Sequence, residues 1–128
     1  MSAMSDYLEN EILDHILRNA AYTPASTVYI GLSTGSFADG NSGTELSGNS
    51  YARQSIAFDA ASGGTTDNTS AIDFPTATGS WGTVSHWGLF DAATSGNLLI
   101  HGAFSVSKTV ASGDILRIAA GELDITAA

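Results

Sequence analysis

The apolar residues of this chain repeat at helical spacing in one segment only, near the N-terminus, and at strand spacing after it. Leu8, Ile12 and Ile16 recur every four residues, with Leu13 and Leu17 in the adjacent row. Together they predict an amphipathic helix within residues 5–20. Ser5 is placed to cap it, Asp6 and Glu9 put negative charge in its first turns, and Pro24 closes the segment. Asp14 and Arg18, four apart, can pair on its wet face. Such a short helix is not stable alone in water, so its stripe must dock on the domain's own sheet or on a neighbouring chain.

From Ser26 onward the pattern is short β-type runs broken by Gly, Asn, Asp and Ser. Strands are expected over residues 27–33, with Val28, Ile30 and Leu32 on one face, and over 52–60, 71–74, 82–91, 98–107 and 115–125. Ser62-Gly63-Gly64, Gly96-Asn97 and Ser112-Gly113-Asp114 read as turns. Residues 35–49 carry no apolar periodicity, and a connection of that length is unusual unless it is functional. The expected fold is mainly β: an antiparallel β-sandwich, jelly-roll-like, with one N-terminal α-helix. The helix and a linker would occupy residues 1–25 and the sandwich 26–128, as one compact domain.

Composition removes several functions. Four Lys+Arg stand against thirteen Asp+Glu, a formal charge of −9, so a basic nucleic-acid binder is not expected. No cysteine is present, which rules out disulfide staples and Cys-based zinc sites. The N-terminal segment has carboxylates where a signal peptide needs basic or apolar residues. No apolar run reaches about 18 residues, so no spanning helix and no membrane partner is expected. Ser, Thr, Ala and Gly make up 63 of the 128 residues, enough small side chains for turns and flat strand faces.

Candidates for chemistry are sparse. His15 lies on the helix without the two-histidine spacing of a helical zinc site. His86 and His101 fall on strands expected to pair, but a metal normally needs further ligands that the sequence does not specify. Gly31-Leu32-Ser33-Thr34-Gly35 matches the nucleophile motif of serine hydrolases letter by letter, yet that motif works in an α/β sheet flanked by helices, and this chain has one helix. Asp39, Glu45, Asp59, Asp67, Asp73, Asp91 and Asp114 are scattered singly beside small residues, where carboxylates cap turns. Asp39-Gly40-Asn41 begins like a calcium loop, but the later ligand positions do not follow. No catalytic residue, metal or cofactor is therefore assigned.

Several runs together carry a resemblance. They are Asp6 to Leu17, Tyr22 to Ser33, Glu45-Leu-Ser-Gly-Asn-Ser-Tyr-Ala-Arg-Gln, Phe74-Pro-Thr-Ala-Thr, Trp81-Gly-Thr-Val-Ser-His-Trp-Gly-Leu-Phe-Asp and Gly113-Asp-Ile-Leu-Arg-Ile. In this order the chain resembles a family of small virion structural proteins of tailed bacteriophages, labelled as tail-fibre or minor structural proteins. The resemblance implies a non-enzymatic virion part assembled in the host cytoplasm. It does not say which part.

A fibre shaft needs a coiled coil, a collagen-like repeat or a β-helix period, none of which is present. A small, weakly charged domain suits close packing against partners. The expectation is thus a capsid cement (decoration) protein, a homotrimer seated on the major capsid protein. Tyr7, Leu8, Ile12, Ile16, Arg53, Trp81 and Trp87 are its candidate interface residues, together with the loop at 35–49. A tail-fibre or baseplate component contacting the host is the first alternative, and a small hydrolase or carbohydrate-binding domain the second.

Overall fold

The computed structural model describes residues 2–40 and 44–127. It is mainly β and antiparallel, with one helix near the N-terminus. In chain order the elements are β1 (Ser2–Met4), α1 (Asp6–Leu17), β2 (Val28–Ser33), β3 (Gln54–Ile56), β4 (Thr65–Asp67), β5 (Ile72–Asp73), β6 (Gly82–Phe90), β7 (Leu98–Val110), β8 (Arg117–Ile118) and β9 (Asp124–Thr126). Five strands make the main sheet in the order β1-β7-β6-β2-β3. The ribbons β4-β9 and β5-β8 are two further small sheets.

The period-2 pattern decides which face is covered. Ile30 pairs with Leu89 and Leu32 with Trp87, so these four side chains lie on one face of the sheet. There they join Ile72, Ile118 and Ile125 from the ribbons in one buried core. The opposite face carries a smaller cluster of Phe37, Phe90 and Leu98.

Ser5 caps α1 as expected, accepting from Leu8 N at 3.3 Å. The helix ends at Leu17, before the predicted boundary, because Asn19 adopts a left-handed φ of 54° and Ala20 N donates back to Asp14 O. Its docking within the chain is slight. Only Leu8 of the apolar stripe is buried, while Leu13, Ile16 and Leu17 are 55%, 69% and 74% exposed. The segment before the helix joins the main sheet: β1 pairs with β7, and Ser5 N donates to Leu99 O at 2.8 Å.

Two expected strands are shorter or divided. The stretch 52–60 reduces to Gln54–Ile56 plus an isolated bridge from Phe58 to Asn68. The stretch 115–125 splits into β8 and β9, which pair with different partners. A turn at Gly121 (φ 74°) separates them. Asn68, 1% exposed, holds that turn: its Nδ2 donates to Ala119 O at 3.0 Å and its Oδ1 accepts from Leu123 N at 2.9 Å. Among the described residues no helix is long and apolar enough to cross a membrane.

Candidate functional site

Gly31 on β2 faces Gly88 on β6 across the sheet. Two adjacent positions without side chains leave a trough, and the loop after β2 fills it. A Cβ on Gly88 would lie 2.9 Å from Leu98 Cδ1 and 3.2 Å from Phe37 Cε2, and one on Gly31 would lie 2.7 Å from Glu45 Oε2. The loop of residues 35–49 is therefore packed structure where it is described; residues 41–43, including Asn41 of the calcium-like fragment, lie outside the described residues.

Arg53 locks this loop. Its Nε donates to Glu45 Oε2 at 2.8 Å and its Nη2 to Glu45 Oε1 at 2.7 Å. Its Nη1 donates to Ala92 O at 2.9 Å and Ser95 O at 2.8 Å, both in the β6–β7 turn. The guanidinium carbon stands 3.6 Å over the centre of the Phe90 ring. Tyr51 completes the cluster, donating its hydroxyl to Glu45 Oε2 at 2.7 Å and accepting from Leu32 N at 2.9 Å. Burial first, and then the hydrogen bond to Glu45, push the Tyr51 phenol far above its ordinary value. The Tyr51 ring packs with Phe74 and Trp81, and Trp81 Nε1 donates to Asn49 O at 3.0 Å.

The residues picked from sequence thus divide. Arg53, Trp81, Trp87 and Leu8 are engaged inside the chain: both Trp rings lie in the core, and Arg53 binds the loop and the hairpin turn. Tyr7 and Ile12 are partly exposed, and Ile16 is open to solvent. The residues that sequence reasoning missed are Glu45 and Tyr51 as partners of Arg53. The signal was present, since all three lie within nine residues of one another in the resemblance-bearing run.

The accessible surface around α1 has its own character. Asp6, Glu9, Leu13 and Ile16 follow one another at spacings of three and four, so they share one helix face, and all four are exposed. The face is acidic in its first turns and apolar in its last. Each of the four cations meets a carboxylate: Arg18 at the end of α1 with Asp14 at 3.3 Å, in an exposed pair, Arg53 with Glu45 at 2.7 Å, Lys108 with Glu122 at 3.0 Å and Arg117 with Asp73 at 3.4 Å.

A family described as Podophage GP4 fiber I protein gp80 matches residues 3–126. The chain belongs to this gp80 fiber protein family. Comparison with curated proteins found no match.

Within this gp80-family chain the catalytic candidates have other employment. Ser33 is fully buried, its hydroxyl donating to Thr44 O at 2.8 Å and accepting from Gly35 N at 3.0 Å. His86 Nε2 lies 3.3 Å from Ser36 Oγ and its Nδ1 2.7 Å from Ser85 Oγ, a pairing that contains no carboxylate to orient the ring. His101 Nε2 pairs with Asp39 Oδ1 at 2.6 Å, and His15 Nδ1 accepts from Tyr22 N at 3.2 Å. Among the described residues no group of three His, Asp or Glu has the geometry to hold a metal. Asp59, Asp67 and Asp124 line one open cleft. There desolvation, a hydrogen bond to Asp59 and the nearby charges raise the Asp67 carboxyl.

Proposed function

We propose that this gp80-family chain is a non-enzymatic structural component of a podophage fibre: a compact adaptor or tip that packs against other virion proteins. The family match over residues 3–126 carries this reading, because the description names a fibre and covers nearly the whole chain. The fold argues for a module within a fibre and against a shaft. Its helix has 12 residues and its longest strand 13, too short for an extended rod.

Capsid decoration is the second reading. It is favoured by the same compactness together with a weakly charged, small-residue-rich surface suited to a close seat on a shell. In either place the chain works by packing. Ser33, buried and hydrogen-bonded on both sides, is poorly placed as a nucleophile.

Quantitative mass spectrometry of purified particles, with immunogold labelling, distinguishes these readings. Few copies, labelled at the tail, support the fibre component. A copy number near that of the shell protein, labelled over the head, replaces it with decoration. Absence from particles overturns both.

A further inference from the structure

We propose that the cleft between β7 and the β8–β9 turn is a binding site for one neutral sugar ring. The site stands beside the structural role above and does not depend on it.

The cleft comes from a mismatch between two paired strands. Val84 pairs with Lys108 and His86 with Ala103, so residues 104–107 of β7 stand against Ser85 alone. Such an excess bulges off the sheet and re-aims its side chains. Across from it, the turn held by Asn68 carries Glu122 and Asp124. The space between, of about 270 Å³, is lined by Trp87, Phe104, Ser105, Glu122 and Asp124 among others.

One group in the cleft lacks a partner. Trp87 is only 3% exposed. Trp81 gives its indole N–H to Asn49 O, but the Trp87 indole N–H has no partner among the described residues. It is not sealed in either, because among the described residues every fully buried side-chain nitrogen or oxygen has a partner. A buried indole normally finds an acceptor, and Trp87 lines the cleft, so an acceptor placed there can reach it. Around this donor stand acceptors and an apolar wall. Asp124 is exposed, Glu122 also meets Lys108 at 3.0 Å, Ser105 offers a hydroxyl, and the Phe104 ring is half-buried. Two carboxylates disfavour an anion, while the Trp87 N–H and Lys108 disfavour a bare cation. A sugar ring satisfies the whole set. Its hydroxyls accept from Trp87 and donate to Asp124, and its C–H face lies on Phe104. The volume falls just below the about 300–1,000 Å³ of sites for larger ligands, so it suits a single ring.

The test uses the whole chain, isotopically labelled for nuclear magnetic resonance. The probes are the methyl glycosides of glucose, galactose, mannose and N-acetylglucosamine, with the free sugars alongside. Two tryptophans give two indole N–H signals. At least one probe, at millimolar concentration, should shift the Trp87 signal saturably and leave the Trp81 signal in place. Binding of a glycoside points to a ring within a glycan, and binding of free sugars alone to a monosaccharide; either supports the site. Asp124→Asn should not lower the melting temperature, yet it should weaken binding at least about tenfold, as for a lost hydrogen bond to a charged group. No saturable shift with any probe, equal shifts of both tryptophans, or undiminished binding by Asp124→Asn would each overturn the site and leave the structural role standing. A saturable shift with N-acetylglycinamide and with no sugar would put a peptide in place of the sugar and overturn it as well.

Discussion

Arg53 grips both carboxylate oxygens of Glu45, at 2.7 and 2.8 Å, while only 8% of its side chain remains exposed. The pair joins the loop after β2 to the β6–β7 turn through Ala92 and Ser95. Planar, two-point recognition is what a guanidinium supplies and an ammonium does not. Arg53→Ala should therefore cost about 3 kcal/mol, near the lower end for a broken buried pair because Glu45 keeps some contact with water. Arg53→Lys should recover less than half of that loss. Urea unfolding monitored by Trp fluorescence measures both, and a loss below about 1 kcal/mol for Arg53→Ala would show that the latch contributes little.

Tyr51 gives a pH signature. Its phenol is held neutral in the folded chain, with its ionisation raised above the ordinary range. A raised folded value means that its contribution to stability is complete below about pH 10 and is lost as pH rises toward the folded value. Ultraviolet titration should show Tyr51 ionising only as the chain unfolds. Tyr51→Phe should flatten the alkaline fall in stability and cost about 1–3 kcal/mol near neutral pH, since Leu32 N–H and Glu45 each lose a partner. Ionisation of Tyr51 at an ordinary pH in the folded chain would contradict the buried hydrogen bond.

The glycine trough is equally testable. Gly88→Ala places a methyl against Leu98 and Phe37 and should destabilise by about 1–3 kcal/mol, as overpacking does. Gly40→Ala, where a Cβ meets nothing within 4 Å, serves as the control and should be nearly neutral. Equal melting temperatures for the two variants would mean that the loop yields freely.

Asp67 works in the opposite direction from a usual paired carboxylate. Because its folded value is raised, its favourable contribution exists at low pH and disappears as pH rises through that value. Asp67→Asn should melt above wild type near neutral pH, with the gap closing below about pH 3. A gap independent of pH would contradict a raised Asp67 carboxyl.

Much of this was legible in order of residues. The Ser5 cap is a local event: one hydroxyl serves a free N–H three residues on, and the structure has that bond. Strands β2 and β6 follow from alternation alone, since Val28, Ile30 and Leu32 can reach a common face only in extended backbone. The division of 115–125 was not legible, because it depends on Asn68 reaching across 51 residues of sequence to Ala119. β4 carries Thr-Thr-Asp, with no apolar period to announce it, and exists through its pairing with β9.

Residue order alone sets the class: a single helical stripe, then strands and turns, in a chain with thirteen acids against four bases. Tertiary structure decided which surfaces remain. Trp81, Trp87 and Arg53 are candidate interface residues in sequence, each lying in a run that carries the family resemblance, and here the core and the loop latch hold them. Leu8, Ile12, Leu13, Ile16 and Leu17 form one stripe in sequence, to be covered by the sheet or by a neighbouring chain, and α1 leaves Leu13, Ile16 and Leu17 in solvent because it docks chiefly through Leu8. Periodicity states which residues share a face; only the packing of the whole chain states what, if anything, that face meets.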